Sequence, residues 1–269
     1  MTITHFDTPL QVIEYISNYI TTIQDQLLYQ RQNQTSNQIQ QGSQTIQDNI
    51  ETNLNTKFNL AISGGKTPLE MFRYWFLHNT ISYTKSIIYQ IDERYLQKNN
   101  KNYQKYANQF AFKTAFEGGQ NLKNNTQNWF VPINLDLSYE EAVADYNLKI
   151  AKLNTHSNKL NLALLGLGTD GHFASIFPNM DKQFFEDATT NSFATNYVIR
   201  TTANDLYPVS QRISLTPQAI AKAQKIMIIL VGQDKKAVLN ELQNGKLTIV
   251  EFPAKYWLNK ENVEILCCF

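Results

Sequence analysis

Short apolar runs that alternate with segments of helical periodicity constrain the fold of this chain more than any other feature. The runs cover residues 58–62, 86–91, 161–166 and 225–231. Each is too short for a typical buried helix and is bounded by polar or glycine residues, which favours buried strands. Helical spacing follows at Leu69 to Phe76 and recurs at the segments 139–153, 216–223 and 235–242. This alternation predicts an α/β fold with a mainly parallel sheet covered on both faces.

The N-terminal region adds a long helix and a polar segment. Apolar residues recur at helical spacing over residues 9–30, from Leu10 to Leu27. The Gln/Asn-rich segment at about 30–55 is interpreted as either a flexible connection or a polar extension of this helix. Because no internal repeat or clear linker is visible, residues 1–269 are predicted to form a single domain.

Composition excludes several classes of function. A net charge of +1 leaves no basic surface for nucleic acid. No apolar run approaches the roughly 20 residues that a membrane span needs, and the N-terminus lacks the pattern of a signal peptide. The two cysteines, Cys267 and Cys268, are adjacent and suit neither a disulfide framework nor a metal site. We therefore expect a cytoplasmic protein with neither nucleic acid nor membrane as a partner.

The segment 161–178 carries the strongest chemical signal. Its apolar run is followed by glycines that allow a sharp turn and a close approach to a ligand, and then by Asp170 and His172. Ligands of open α/β sheets bind at the carboxyl ends of strands, and histidine exchanges protons near neutral pH. A dinucleotide fingerprint is disfavoured because Pro178 ends the helical pattern and the acids Glu186 and Asp187 follow no strand. A structural turn with an incidental histidine remains the alternative.

Further candidates follow the other predicted strands. The segment Ser63–Pro68 leads into a helix, with Thr67 as the expected N-cap and Pro68 at the first helical position. Such a helix start presents backbone N–H groups to an anion, although the pattern of a Walker loop is absent. The triplet Asp92–Arg94 and the cations Arg212 and Lys235 are candidates for a polar substrate. Each of them alone is also compatible with a solvated loop or a surface charge.

Together these segments resemble the 6-phosphogluconolactonase family, which shares its fold with the glucosamine-6-phosphate deaminases. The resemblance is carried, in order from about residue 58 to about 255, by SGGKTP, DER, GLGTDGHFASIFP, RISLT and VGQDKKAVL. The deaminases usually have Phe-Asn-Glu-Pro where this chain has Ser175 to Pro178. The chain departs from the lactonase pattern at Lys66, where serine is usual, and in LYPVSQ before Arg212, where a Pro-Lys-Pro-Pro type is usual.

The resemblance implies a Rossmann-like three-layer α/β/α fold and a carboxylic ester hydrolase. The implied reaction is hydrolysis of 6-phospho-D-glucono-1,5-lactone to 6-phospho-D-gluconate in the oxidative pentose phosphate pathway. His172 would be the general base, oriented by Asp170 or Asp92, and the oxyanion would be met by glycine-turn N–H groups or Arg94. Residues expected to bind substrate or its phosphate are Ser63, Gly64, Gly65, Lys66, Thr67, Gly168, Gly171, Arg212 and Lys235.

The resemblance requires neither a cofactor nor a metal, and it makes a small sugar phosphate the expected partner of a monomer or homodimer. Two alternatives stay open. One is an isomerase or deaminase acting on an amino-sugar phosphate, in which Asp92 would move a proton between C1 and C2. The other is a non-catalytic sugar-phosphate-binding protein.

Overall fold

A central parallel sheet forms the middle of the molecule. The computed structural model describes residues 1–40, 57–117, 129–154, 159–185 and 196–269. Within these ranges seven parallel strands lie in the order β1-β10-β9-β6-β2-β3-β5. The strands are β1 (Thr2–His5), β2 (Phe58–Ile62), β3 (Ser86–Gln90), β5 (Phe130–Val131), β6 (Leu162–Gly166), β9 (Lys225–Val231) and β10 (Val263–Cys268). The predicted mainly parallel sheet is confirmed.

Helices cover both faces of this sheet. They are α1 (Pro9–Gln40), α2 (Lys66–His78), α3 (Tyr103–Tyr106), α4 (Asn108–Glu117), α5 (Tyr139–Ala151), α6 (Pro217–Ala221) and α7 (Lys235–Asn244). Alternate residues of one strand point to opposite faces. Leu162 and Leu164 pack in the cluster of α1, α2 and α4, whereas Ala163 and Leu165 pack in the cluster of α5, α6 and α7. The result is the three-layer α/β/α arrangement that the resemblance implied.

A second, antiparallel sheet was not predicted. It consists of β4 (Asp92–Arg94), β8 (Gln211–Leu215) and β7 (Val198–Thr202), in the order β4-β8-β7. The chain crosses from the central sheet at Ile91, whose N–H donates to Ile62 and whose carbonyl accepts from Leu215. Three consecutive charged residues give no strand pattern, so the triplet was interpreted only as a charged end of the preceding strand.

Helix starts and ends also differ from the sequence interpretation. Helix α1 continues to Gln40, so residues 31–40 are a helical extension, while residues 41–56 lie outside the described ranges. The prediction of Thr67 as an N-cap is wrong: Lys66 begins α2, Gly65 is the cap, and Pro68 is therefore not the first helical residue. Gly65 takes a φ of 122°, which glycine adopts without strain, and this lets the helix begin earlier. The helix predicted at 216–223 is present as α6 (Pro217–Ala221), and Thr216 caps it, since its Oγ1 accepts from the Ala219 N–H at 3.1 Å.

No helix among the described residues is long and apolar enough to cross a membrane.

Candidate active site

A cleft of about 580 Å³ lies where the carboxyl ends of the central strands meet the antiparallel sheet. It is the position at which open α/β sheets bind ligands. Among the residues singled out from the sequence, those after β2 that line it are Ser63, Gly64, Gly65 and Thr67. Those from the antiparallel sheet and from the turns after β6 and β9 are Asp92, Arg94, Arg212, Gly168, His172 and Lys235.

His172 is held by Asp170 and Tyr207. Its Nδ1 lies 2.6 Å from Asp170 Oδ1, and the Tyr207 hydroxyl donates to Asp170 Oδ2 at 3.1 Å. The Phe177 ring lies against the imidazole, with a distance of 5.0 Å between centroids. Nε2 of His172 makes no hydrogen bond to any described residue. With Nδ1 bound to a carboxylate, neutral His172 carries its free lone pair on Nε2.

The pKa shifts of Asp170 and Tyr207 favour these hydrogen bonds around His172. Burial raises the pKa of Asp170, but the hydrogen bonds and charge of His172, helped by the Tyr207 hydroxyl, outweigh it and lower this pKa to about 2. Burial and the negative charge of Asp170 raise the pKa of Tyr207 to about 12. Near neutral pH the carboxylate is therefore ionised and accepts from both neighbours, while the phenol remains a donor.

Asp170, rather than Asp92, contacts the histidine. Asp92 lines the cleft with its Oδ2 accepting from the buried Ser175 hydroxyl at 2.8 Å. Asp170 is bonded to His172 both through the ring and through the backbone N–H, at 3.2 Å. The two-residue spacing within one turn thus fixes the partner that the sequence left open.

The glycine turn shapes the floor of the cleft and uses its own amides. The N–H of Gly168 donates to the His172 carbonyl and that of Gly171 donates to the Gly168 carbonyl. A Cβ on Gly168 would lie 2.1 Å from His172 Nδ1, so only glycine fits beneath the imidazole. Gly171, at φ 80°, packs against Phe252 and does not line the cleft. These two amides are thus engaged inside the turn, which leaves Arg94 as the stronger oxyanion candidate.

The loop Ser63–Gly65 offers unsatisfied polar groups. Ser63 Oγ is buried and has no hydrogen-bond partner within the described part of the chain. The N–H groups of Gly64 and Gly65 donate to no backbone carbonyl among those residues. A Cβ on Gly64 would lie 2.1 Å from Asn108 Oδ1, so the loop must pass close to α4. Buried polar groups without partners mark a place where an anionic ligand can bind. Lys66 begins α2, but its side chain lies outside what the structure describes.

Two arginines lie side by side on neighbouring strands of the antiparallel sheet. Arg94 and Arg212 are register partners of β4 and β8. Arg94 Nη1 donates to the Tyr106 carbonyl at 3.0 Å and to Asn108 Oδ1 at 2.7 Å. Arg212 is 4% exposed, and its Nε donates to the Val209 carbonyl at 3.0 Å. Burial and the charge of Arg94 lower the pKa of Arg212, which is the electrostatic signature of a site that favours an anion.

Lys235 lines the cleft at the first residue of α7. Its Nζ donates to the Leu167 carbonyl at 3.0 Å and lies 3.3 Å from Asp234 Oδ2. One donor position of the ammonium is therefore used to hold the turn after β6, and its charge still faces the cleft.

Two supporting residues, Tyr207 and Asn108, were not predicted from the sequence, and a third, Glu93, entered only as the middle residue of the triplet Asp92–Arg94. Tyr207 sits in a stretch without a motif, and Asn108 is an unremarked residue at the start of α4. Glu93 is fully buried and accepts from the Gln90 side chain and from the N–H groups of Arg94, Asn108 and Gln109. Burial raises the pKa of Glu93, and these hydrogen bonds act against that rise. The sequence signal for Glu93 was a single acid between two predicted site residues.

Among the described residues no group of three or more His, Cys, Asp or Glu side chains is placed to hold a metal ion.

The model for the family described as glucosamine-6-phosphate isomerases/6-phosphogluconolactonase matches residues 33–266. The chain belongs to this family. The resemblance stated from the sequence is thereby confirmed.

Individual members of the glucosamine-6-phosphate isomerase/6-phosphogluconolactonase family are distant in sequence and similar in fold. A probable 6-phosphogluconolactonase from Dictyostelium discoideum is 27% identical over 207 residues, covering 77% of this chain and 82% of the relative. A glucosamine-6-phosphate deaminase from Malacoplasma penetrans is 25% identical over 215 residues, covering 77% and 84%. The structure of 6-phosphogluconolactonase from Trypanosoma brucei matches with a TM-score of 0.69 at 20% identity, covering 98% of this chain and 95% of the other.

Proposed function

We propose that the chain is a carboxylic ester hydrolase that converts 6-phospho-D-glucono-1,5-lactone to 6-phospho-D-gluconate, in the oxidative pentose phosphate pathway. The observation that carries this proposal is the His172–Asp170 pair at the edge of a cleft whose other walls present two arginines and a lysine. A lactone carbonyl is already electrophilic, so a positioned base and an oxyanion site suffice for its hydrolysis.

The proposed reaction runs through His172 Nε2. Nε2 removes a proton from water, and the hydroxide adds to C1 of the lactone to give a tetrahedral oxyanion. Asp170 stabilises the imidazolium through Nδ1. When the C1–O5 bond breaks, the imidazolium returns its proton to O5, and the product is an open-chain acid that ionises. Such a base contributes roughly 10²–10⁴-fold to the rate.

Arg94 is the proposed oxyanion group. Its Nη1 is fixed by Tyr106 and Asn108, while Nε and Nη2 make no hydrogen bond within the described ranges. Because Nη1 fixes the guanidinium while Nε and Nη2 can still donate, the group is preorganised for the negative charge that develops on the carbonyl oxygen of C1.

The 6-phosphate is proposed to bind between the loop Ser63–Gly65 and the cations Arg212 and Lys235. The loop supplies the unpaired Ser63 hydroxyl and free amides, and the helix start adds a favourable dipole. Arg212 is poorly hydrated because it is buried, which strengthens its attraction for a dianion.

An amino-sugar-phosphate isomerase or deaminase is the second candidate, because Asp92 lines the same cleft. Moving a carbon-bound proton needs a second acid–base group near the histidine. The tail from Phe173 to Met180 carries no carboxylate, and the Asp92 carboxylate already accepts from Ser175. Lactone hydrolysis moves no carbon-bound proton and therefore needs no second acid–base group, so it is the better-supported reaction.

One paired assay separates these reactions. Acid release from freshly generated 6-phosphogluconolactone is measured above its spontaneous hydrolysis, and ammonia release is measured from glucosamine 6-phosphate with the same preparation. The proposal predicts acid release and no ammonia. Ammonia at a comparable rate would replace it with the second candidate, and inactivity on both substrates would favour a binding protein.

A further inference from the structure

Tyr207 contacts both the His172–Asp170 pair and Arg212 in the cleft. It lies on the connection between β7 and β8, where the Ala203 N–H donates to Ser210 at 2.8 Å and the Tyr207 N–H donates to Asn204 at 3.1 Å. The tyrosine is therefore fixed by a hydrogen-bonded turn and not by its side chain alone. It lies in the stretch where this chain departs from the pattern of the lactonases.

The hydroxyl of Tyr207 meets the catalytic pair. It donates to Asp170 Oδ2 at 3.1 Å and lies 3.1 Å from His172 Nδ1. Asp170 Oδ1 is bonded to the histidine, so each oxygen of the carboxylate has its own donor. A carboxylate with both oxygens engaged has little freedom to rotate about its bond to Cβ.

The ring of Tyr207 meets the cation that faces the cleft. The Arg212 guanidinium carbon lies 5.7 Å from the Tyr207 ring centroid and 5.6 Å from that of Phe177. The two rings lie 5.1 Å apart, and Tyr207 also meets the imidazole edge-on at 5.5 Å. One side chain thus contacts both the base and a phosphate-binding candidate through different atoms.

We propose that Tyr207 is a positioning residue with two separable roles: its hydroxyl fixes the Asp170 carboxylate that orients His172, and its ring holds the Arg212 guanidinium. This inference rests on the proposed lactone hydrolysis for its kinetic consequences. Its geometric content, that the hydroxyl serves the base and the ring serves the cation, is independent of the reaction.

Two substitutions separate the roles. Tyr207→Phe keeps the ring and removes the hydroxyl, so kcat should fall roughly tenfold, a small part of what a general base contributes, with KM within about twofold of the wild type. Tyr207→Leu removes both, so KM for the phosphorylated lactone should also rise several-fold. In Tyr207→Phe the acidic limb of kcat/KM should move to higher pH, because Asp170 regains the negative charge that the hydroxyl had partly compensated. Arg94, Arg212, Lys235 and Asp92 are unchanged in that variant.

Tyr15→Phe is the matched control. Tyr15 also donates its hydroxyl to a carboxylate, Glu264 Oε1 at 2.9 Å, but in the contact of α1 with β10. Its loss should lower the melting temperature and leave kcat, KM and the pH profile unchanged.

An activity-independent measurement keeps this inference distinct from the proposed function. Diethyl pyrocarbonate acylates neutral imidazole, and mass spectrometry assigns the modification to the His172 peptide. In Tyr207→Phe the pH at which His172 becomes reactive should rise, whether or not the chain hydrolyses the lactone. An unchanged reactivity profile together with wild-type kcat would overturn the role of Tyr207. A shifted profile in a chain without lactone hydrolysis would retain that role and refute the proposed function.

Discussion

His172 owes its orientation to a residue two positions earlier, Asp170, which the sequence offered as one of two candidates, with Asp92, because the spacing is local. Asp170 and His172 share one turn, so their contact needs little more than the glycines that close it. Tyr207 could not be predicted in the same way. Its contact with Asp170 depends on the connection between β7 and β8, a sheet that no residue pattern revealed.

Asp170→Asn should lower kcat by roughly 10²–10⁴-fold and leave KM nearly unchanged. The amide keeps the size of the side chain but no longer stabilises an imidazolium. Steady-state kinetics near neutral pH provide the measurement, and kcat within a few-fold of the wild type would contradict the assigned role.

The same residue predicts a pH dependence of stability. The folded pKa of Asp170, about 2, lies below its ordinary value of 3.8, so its contribution is present above that value and is lost as pH falls toward 2. The unfolding free energies of the wild type and Asp170→Asn should therefore converge over this window. The effect is reduced by screening because a third of the side chain is exposed. If the difference in unfolding free energy did not change with pH, the partners of Asp170 would not be lowering its pKa in the folded protein.

Arg212→Ala should raise KM for the phosphorylated lactone roughly ten- to a hundredfold, because a charge-assisted contact with phosphate is lost. Hydrolysis of unphosphorylated gluconolactone should change little, which makes that substrate the internal control. Arg212→Lys retains a positive charge in the same buried position, so its KM for the phosphorylated lactone should lie between those of the wild type and Arg212→Ala. A similar loss on both lactones would place Arg212 outside the phosphate site.

At the scale of elements, the antiparallel sheet is what completes the cleft. Its register sets Arg94 opposite Arg212, and α4 begins beside it at Asn108. Glu93 ties these elements together, because its carboxyl accepts from the first two N–H groups of α4. The four strands recognised from the sequence are those with continuous apolar runs. Strand β4 was missed because its charged side chains are satisfied by tertiary contacts that only the fold provides.

Glu93→Gln should lower the free energy of unfolding by about 1–3 kcal/mol, since an amide nitrogen would face backbone N–H donors that now bond to carboxyl oxygens. We also expect a lower kcat through displacement of Arg94. Chemical denaturation gives the stability change. Glu141→Gln is the matched control: Glu141 caps α5 at the surface in a capping box with Ser138, and its replacement should have a much smaller effect. If both substitutions lowered the free energy of unfolding equally, the buried hydrogen bonds of Glu93 would not be the cause of its effect.

For the whole molecule, the prediction of an α/β architecture succeeded because parallel strands that are buried on both faces leave continuous apolar runs in the sequence. Residues of β6 and β9 that point to opposite faces are both apolar, as required between two helical layers. The strand at the end of the chain was not recognised because VEILCC contains Glu264. That carboxylate is compensated inside the fold by Thr4, Tyr15 and Lys225.

The two cysteines give a probe of this architecture. Cys267 and Cys268 lie in β10, between β9 and β1, and are buried. Burial raises the pKa of the Cys267 thiol to about 11, so little thiolate is present near neutral pH. The native protein should react slowly with a thiol reagent, and in denaturant two thiols per chain should react. Rapid labelling of the native state would mean that β10 is not held inside the sheet.

The central claim is that His172 activates water for hydrolysis of the phosphorylated lactone. The most direct measurement is acid release by His172→Asn, recorded beside the wild type, at matched folding judged by circular dichroism and melting temperature. The account predicts kcat reduced by roughly 10²–10⁴-fold toward the spontaneous rate, with KM nearly unchanged. A folded His172→Asn variant that turns over the lactone at close to the wild-type rate would contradict it.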